Sequence, residues 1–216
     1  MTAVVLHGYH RSSASFRVRI ALNLRQIEYE NRPYHLRRGE QRDSAYLKVN
    51  PQGLVPTLEI DGLFLTQSLA IIDYLDNTRG GPSLHPTLPK DRAQVDALAQ
   101  LIVCDIHPID NLRVLQFLRT EFKHPEADIR HWYHHWIKTG FEAFEARIAP
   151  AYRPGNYCWG EQPTVADVCL IPQVVNALTY SLDLEPYPTI QAVFRTAMEA
   201  AAFTKALPEN QSDAQH

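Results

Sequence analysis

The 216-residue sequence has little cysteine and no excess of positive charge. Its three cysteines are an odd number at no metal-ligand spacing, so the sequence predicts reduced thiols rather than a disulfide framework. A formal net charge of −3 gives no general attraction to nucleic acid or to an anionic membrane. No apolar run reaches the length of a membrane span, and the first residues lack the pattern of a signal peptide. These features predict a cytoplasmic protein without a nucleic-acid or membrane partner.

Glycine is also scarce, with 9 residues against 15 prolines. This ratio indicates well-defined turns and helix stops and argues against flexible linkers. Internal repeats and low-complexity segments are absent, which excludes a repeat architecture. Hydrophobic residues make up 45% of the chain and charged residues 21%, as in ordinary globular proteins. A chain of this length can bury the core of one or two domains.

Strand and helix patterns alternate in the first part of the chain. The predicted elements are a strand near residues 3–9, a helix near 15–25, a strand over 27–34, a polar loop over 35–43 with a short helical piece ending near 49, strands over 54–60 and 63–66, and a helix over 69–75. Asp61 and Gly62, between the last two strands, are a strong hairpin signal. The order β-α-β-α-β-β-α predicts a small mixed sheet with helices packed against it.

The pattern changes at residues 77–89, which contain two glycines and three prolines and form the candidate domain boundary. The helical runs that follow cover 90–121, 126–148, 164–179 and 188–202. The polar tail from Pro208 is expected to fray. We therefore predict an α/β domain over residues 1–80, a linker over 81–89 and an all-helical domain over 90–216.

One arginine and three serines lie between the first predicted strand and the first predicted helix: Arg11, Ser12, Ser13 and Ser15. A helix N-terminus has unpaired backbone N–H groups and the positive end of the helix dipole, so it suits an anion or a thiolate. For any one of these serines a simple N-cap is the plainer interpretation. One cap does not require three serines and an arginine, so the cluster remains a candidate for function.

Two further positions could bind an extended ligand. Val55 precedes Pro56 at the start of a strand, and a cis peptide bond there would turn the Val55 backbone outward, although a trans proline that starts a strand is more common. Gln67 and Ser68 open the next helix, where they could bind a carboxylate or simply cap the helix. Two anion-ready helix starts that flank one possible peptide-binding edge are a more specific combination than any of the parts.

Six segments of the chain resemble zeta-class glutathione transferases, and the match extends over roughly residues 4–205. In the first part they are Arg-Ser-Ser-x-Ser-x-Arg-Val-Arg-Ile-Ala-Leu from Arg11, Asn-Pro-Gln-Gly-Leu-Val-Pro-Thr-Leu from Asn50 and Gln-Ser-Leu-Ala-Ile-Ile-Asp-Tyr-Leu from Gln67. In the helical part they are Asp-Ile-His-Pro-Ile-Asp-Asn-Leu from Asp105, Pro-Thr-Val-Ala-Asp from Pro163 and Ile-Pro-Gln-Val-Val-Asn-Ala from Ile171. The resemblance implies a thioredoxin-like N-terminal domain, a helical C-terminal domain, a homodimer and glutathione bound mainly to the first domain.

The resemblance also implies roles for single residues. Ser12 matches the serine that hydrogen-bonds the sulfur of glutathione, and Ser13 and Ser15 are its neighbours in that motif. Val55, before a cis Pro56, would pair with the cysteinyl backbone of glutathione. The unperturbed pKa of a thiol is about 8.5, and a serine donor together with a helix dipole could lower it by about one to two units. Such a shift would make the thiolate a major species at neutral pH.

Four more residues match binding positions of the family. Gln67 and Ser68 would hold the γ-glutamyl end of glutathione. His107 and Asn111 match positions near the active site in the helical domain. The resemblance therefore implies a glutathione site that draws residues from both halves of the sequence.

Known members of the family isomerise maleylacetoacetate or maleylpyruvate, and the reaction implied here converts maleylacetoacetate to fumarylacetoacetate. The thiolate adds to the cis double bond, rotation follows, and elimination releases the trans product, so glutathione acts as a cofactor. The substrate is a small dicarboxylic keto acid. Arg11 and Arg113 are candidates for its carboxylates, because a planar guanidinium can form two bonds with a carboxylate. For Arg113 a solvated helix face is an equal alternative.

Three departures from the family pattern bear on the substrate. Ala14 stands where many relatives have cysteine, which argues against thiol-transferase chemistry. The segment ending at Thr179 lacks an arginine that many members carry, so one carboxylate clamp is missing or replaced. His107 stands where other relatives have glutamine and is shared with the bacterial maleylpyruvate isomerase type. The open alternatives are maleylpyruvate as substrate, a general glutathione transferase acting on electrophiles, and a non-catalytic binding protein with this fold.

Two remaining patterns have a plainer interpretation. His131 and His135 are four residues apart on a predicted helix, a spacing that can bind a metal, but the aromatic residues among them favour packing. No metal is therefore expected. The mixed-charge segment over residues 37–42 is by default a solvated loop, and a mobile lid over the site is the alternative.

Overall fold

The computed structural model describes residues 4–215 and divides the chain into two compact units. The first unit runs to Ser83 and includes the segment from Met198 onward, whereas the second spans Leu84–Ala197. The first contains a mixed sheet and the second is helical, so the predicted fold class is confirmed. Residues 4–215 include no helix with the length and apolar character that crossing a membrane requires.

A four-stranded mixed sheet forms the centre of the first unit. Its strands are β1 (Val5–Gly8), β2 (Glu30–Pro33), β3 (Thr57–Ile60) and β4 (Leu63–Thr66), arranged in the order β2-β1-β3-β4. β1 pairs in parallel with β2 and antiparallel with β3, and β3 pairs antiparallel with β4. Asp61 and Gly62 form the predicted hairpin turn, and both have the positive φ that a type I′ turn requires.

Three helices complete the first part of this unit: α1 (Ser13–Leu24), α2 (Ser44–Leu47) and α3 (Ser68–Thr78). Helices α1 and α3 pack together, and the core between helices and sheet includes the buried side chains of Leu6, Ile20, Leu58 and Ile71. The polar loop predicted over residues 35–43 contains two short 3-10 helices. The strand and helix order expected from the sequence is therefore confirmed for this region.

The second unit contains α4 (Pro89–Gln100), α5 (Leu112–Thr120), α6 (Glu126–Ile148), α7 (Val165–Thr179) and most of α8 (Pro188–Glu199). The single helix predicted over 90–121 is wrong. A π-helical segment, Leu101–Ile106, follows α4, and the helical pattern breaks before α5. Pro108 has no N–H to donate, and the Asn111 side chain caps α5 by accepting from the Arg113 N–H at 3.2 Å.

Helix α7 begins with a complete capping box. The backbone N–H and the hydroxyl of Thr164 both donate to the Asp167 carboxylate, at 2.8 and 2.9 Å. The Cys158 N–H donates to the other oxygen of the same carboxylate at 2.7 Å. Asp167 is completely buried, so these three bonds replace the water that it loses on folding. The Pro-Thr-Val-Ala-Asp segment from Pro163 therefore contains the N-terminal cap of α7.

The C-terminal segment packs with the first unit rather than with the helical one. It forms α9 (Ala201–Thr204) and 3-10 helices at Pro208–Asn210 and Ser212–Gln215. The Asn23 side chain donates to the Ala202 carbonyl at 2.9 Å, and the His10 N–H donates to Asp213 at 2.9 Å. These contacts correct two expectations: residues 208–215 form short 3-10 helices rather than fraying, and residues 198–215 pack with the first unit rather than with the predicted 90–216 helical domain.

Candidate active site

Three predicted site segments lie at the same end of the sheet, where three strands begin or end. In the strand register His7 is opposite Thr57, and Thr57 is opposite Thr66. The end of β1, the start of β3 and the end of β4 are therefore adjacent. The chain that leaves or enters these strands carries the predicted residues, which are Ser12 after β1, Val55 and Pro56 before β3, and Gln67 and Ser68 after β4. The fold of the first unit thus brings these segments together.

Ser12 is the N-cap of α1. Its Oγ accepts a hydrogen bond from the Ser15 N–H at 3.2 Å, and its backbone N–H donates to the Tyr9 carbonyl at 3.0 Å. The side chain is half-buried rather than enclosed. Because the oxygen acts as the acceptor in the cap, the hydroxyl proton remains able to donate to an external group. The capping interpretation and the functional one are therefore compatible in Ser12.

Ser13 and Ser15 are both buried, in contrast to Ser12. The Ser15 Oγ packs against Gly8, where an added Cβ would lie 3.2 Å from it, and it has no hydrogen-bond partner among residues 4–215. The Ser15 side chain therefore points into the helix–sheet contact, which favours a packing role over the predicted catalytic one. Arg11, by contrast, is exposed just before α1.

The Val55-Pro56 peptide bond is cis, as the resemblance implied. Within residues 4–215 no hydrogen bond involves the Val55 main chain, and β3 begins only at Thr57. The preceding carbonyl, of Leu54, accepts from the Tyr46 hydroxyl at 2.6 Å and from the Asn50 side chain at 2.7 Å. Val55 therefore presents unpaired backbone groups next to a firmly held peptide.

Gln67 and Ser68 form the start of α3. Gln67 has φ 66° and ψ 114°, and such a positive φ is costly for a residue other than glycine and is often found at functional sites. Its side-chain amide donates to Gln52 at 3.2 Å. Ser68 is buried, and its Oγ accepts from the Arg17 guanidinium at 3.4 Å. The first N–H groups of α3 and the nearby guanidinium together favour an anion at this position.

Two buried arginines of α1 had no role in the sequence prediction. Arg17 and Arg19 are only 1% and 2% exposed. Arg17 contacts Ser68, and Arg19 donates to the carbonyls of Tyr9 and His10, immediately before the serine motif. Their signal in the sequence is two arginines within an otherwise apolar helical run, since buried charges are rare and expensive.

His107, Asn111 and Arg113 lie in the second unit. The Asn111 side-chain nitrogen is 3.2 Å from His107 Nε2, and its oxygen accepts from the Arg113 N–H. With the amide in this orientation Nε2 is the acceptor, so a neutral His107 carries its proton on Nδ1. The Arg113 side chain is exposed on α5. Their roles in binding stay predictions.

Asp110, next to this pair, is 7% exposed, and neither carboxylate oxygen has a hydrogen-bond partner among residues 4–215. Burial raises its pKa from an ordinary value of 3.8 to about 8. A carboxyl group with this pKa is largely protonated at neutral pH. This burial was not predictable from the sequence, because an aspartate beside a helix cap is normally exposed.

The family model "Glutathione S-transferase, N-terminal domain" matches residues 6–83. A Vibrio cholerae serotype O1 protein named "Probable maleylacetoacetate isomerase" is 47% identical over 217 residues, covering 99% of this chain and 100% of that protein.

Solved structures are similar over nearly the whole chain. The holo structure of a maleylpyruvate isomerase, described as a bacterial glutathione S-transferase of the zeta class, has a TM-score of 0.95 at 43% identity and covers 97% of this chain and 99% of its own. A maleylacetoacetate isomerase from Methylobacterium extorquens AM1, with bound malonate and GSH, has a TM-score of 0.93 at 38% identity, with 97% and 99% covered. The chain therefore belongs to the zeta class of the glutathione S-transferase family.

Proposed function

We propose that this protein is a glutathione-dependent cis–trans isomerase that converts maleylacetoacetate to fumarylacetoacetate. One observation carries the proposal: the Ser12 hydroxyl, the unpaired Val55 main chain and the start of α3 lie together at the same end of the sheet. These three features fit the thiol, the peptide backbone and the γ-glutamyl carboxylate of glutathione, in that order. They lie within one unit of the fold.

The residues present fit glutathione by chemistry as well as by placement. Ser12 provides a hydroxyl donor at the positive end of α1, which stabilises a thiolate and lowers the pKa of a thiol. Val55 provides a backbone donor and acceptor, as an extended peptide requires. Ser68, the α3 N-terminus and the Arg17 guanidinium provide positive potential for a carboxylate.

When bound, glutathione supplies the nucleophilic sulfur that adds reversibly to the double bond and permits rotation. The chain itself offers no thiol in the serine motif, because Ala14 takes the place of cysteine. Ser12 would donate its hydroxyl hydrogen bond to the sulfur, because the α1 cap positions its oxygen. Arg11, exposed beside it, is our candidate for a substrate carboxylate, and Arg113 is the second.

Two relatives support a dicarboxylic substrate. The Vibrio cholerae relative bears the name of a maleylacetoacetate isomerase, and the Methylobacterium extorquens AM1 structure holds malonate, a dicarboxylate, together with GSH. Maleylpyruvate is the second candidate, because the sequence carries His107 and the zeta-class maleylpyruvate isomerase is 43% identical.

A parallel assay of both substrates, each with and without glutathione, tests the proposal. We expect turnover that saturates with glutathione, leaves it unconsumed and is faster with maleylacetoacetate. Faster turnover of maleylpyruvate would transfer the assignment to the second candidate. Turnover indifferent to glutathione, or consumption of glutathione in proportion to product, would contradict the isomerase mechanism.

We further propose a cytoplasmic homodimer. Strand β4 is at the edge of the sheet, and its Leu63 and Phe64 are 45% and 51% exposed, which is typical of an association surface. Cys104 is exposed and forms no disulfide, as in reducing compartments. Sedimentation equilibrium should give twice the chain mass, and Phe64→Glu should shift the protein toward monomer. A wild-type monomer would contradict the dimer.

A further inference from the structure

The loop between β1 and α1 is held by groups that are distant in the sequence. Arg19 donates to the Tyr9 carbonyl at 3.4 Å and to the His10 carbonyl at 3.0 Å. From the other side, the His10 N–H donates to the Asp213 carboxylate at 2.9 Å. The Tyr9 carbonyl also accepts from the Ser12 N–H at 3.0 Å. The peptide that leads into Ser12 is therefore bonded to a buried cation and to the C-terminal segment.

Asp213 makes more contacts than a surface carboxylate normally does. Its Oδ2 also lies 3.2 Å from His10 Nδ1, and its Oδ1 accepts from the Asn31 side chain at 3.3 Å. The side chains of His10 and Asp213 are 13% and 11% exposed. A hydrogen bond from a backbone N–H to a carboxylate is charge-assisted, so it is stronger than a neutral one. Asp213 therefore fixes the His10 peptide at its N–H and its side chain together.

Arg19 connects the same loop to the same segment. Its Nε donates to the Ala206 carbonyl at 3.0 Å, and the residue is 2% exposed. Burial lowers the pKa of Arg19 to about 10, which still leaves the guanidinium charged at neutral pH. The C-terminal segment is thus attached to α1 at Ala206 and to the loop at Asp213, on either side of one buried arginine.

We propose that the C-terminal segment is a clamp for the loop between β1 and α1. Asp213 is the positioning residue of this clamp, because it holds the His10 peptide and thereby sets the orientation of Ser12. This inference rests on the proposed function of Ser12. Asp213 touches no reacting atom in this account. It acts through the main chain of His10, one residue before Arg11 and two before Ser12, where small displacements of a hydroxyl donor change its bond to sulfur.

Three variants of the full chain test the clamp. Asp213→Ala removes the acceptor, whereas Asp213→Asn keeps an oxygen that can accept from the His10 N–H. Glu209→Ala is the matched control, because Glu209 lies on the same segment, is exposed and carries the same charge. Amide hydrogen exchange of the peptide covering residues 9–15 reports the loop without glutathione. The ultraviolet absorbance of bound glutathione thiolate, followed against pH, gives the pKa of the bound thiol.

We expect Asp213→Ala to speed exchange in residues 9–15 about fivefold or more, to raise the pKa of the bound thiol and to lower kcat/KM for glutathione about five- to tenfold. Asp213→Asn should recover most of each change, and Glu209→Ala should match the wild type. Exchange unchanged in Asp213→Ala would overturn the clamp. Faster exchange with an unchanged thiol pKa would overturn the positioning role.

The two readouts separate this inference from the proposed function. If the wild-type protein does not lower the pKa of the glutathione thiol, the proposed function fails, and the exchange data alone then decide whether the clamp exists. A fall in kcat/KM that only follows a loss of folded protein, seen as a lower Tm with normal loop exchange in the folded fraction, would also overturn the clamp.

Discussion

At the residue scale, neighbouring serines of one motif have different environments. Ser12 is half-buried and caps α1, whereas Ser15 is completely buried against Gly8. The sequence identifies the cluster but not the direction of each side chain, because direction depends on how α1 rotates onto the sheet. The same holds for Arg17, whose contact with Ser68 joins residues 51 positions apart. The sequence therefore predicted which residues belong to the cluster but not the direction of their side chains.

The two serines should therefore respond differently to alanine. Ser12→Ala removes the donor to the sulfur, and we expect kcat at neutral pH to fall about 10- to 100-fold, the range lost with a single donor to a developing anion. Ser15→Ala removes a buried hydroxyl that has no partner among the described residues, so kcat should stay within about twofold. Steady-state kinetics of both variants, with thermal melts as a folding control, measure this. Equal losses would contradict the assignment of Ser12.

At the element scale, the periodicity of the sequence predicted most helices and strands but missed the break after α4. The π-helical segment Leu101–Ile106 shifts the register of the helix without changing its apolar character, so no pattern announces it. It lies against α6 at Gly140, where an added Cβ would be 2.2 Å from the Cδ1 of Ile106. That close approach explains a glycine within a 23-residue helix.

Gly140→Ala tests this contact, because propensity and packing predict opposite signs. Alanine in a helix interior is normally about 1 kcal/mol more stabilising than glycine. Here the Cβ would overlap Ile106, and we expect a loss of about 1–3 kcal/mol in the free energy of unfolding. Gly80→Ala is the control, since a Cβ there meets no atom within 4 Å. Urea titrations measure both, and a more stable Gly140→Ala protein would refute the close packing.

At the scale of the whole molecule, long-range contacts decide what the sequence could not. The C-terminal segment was expected to fray because it is polar, yet Asp213 bonds to His10 across 203 positions. The hydrogen-bond partners of this polar tail are distant in the sequence, so its local composition does not predict that it packs. The two-part architecture was predictable because a change in pattern at residues 77–89 is local information. By contrast, the sequence did not predict that the segment from Met198 onward packs with the first unit.

The pH dependence of global stability should report Asp110. A carboxyl whose pKa is raised by folding contributes stability that is fully present below its unfolded pKa and is lost as pH rises through the folded value of about 8. Between about pH 5 and pH 8 the wild type should therefore lose about 2–4 kcal/mol relative to Asp110→Asn. Unfolding titrations across this range measure it, with Asp183→Asn, at an exposed carboxylate, as control. Parallel profiles for wild type and Asp110→Asn would contradict a buried, protonated Asp110.

We propose that Ser12, at the start of α1, lowers the pKa of an external thiol. A titration of the glutathione thiolate absorbance in the binary complex, for the wild type and for Ser12→Ala, measures this effect. We predict an apparent pKa about one to two units below the unperturbed value of about 8.5 in the wild type, and a return toward that value in Ser12→Ala. A wild-type value near that of free glutathione, or one unchanged by Ser12→Ala, would contradict the account.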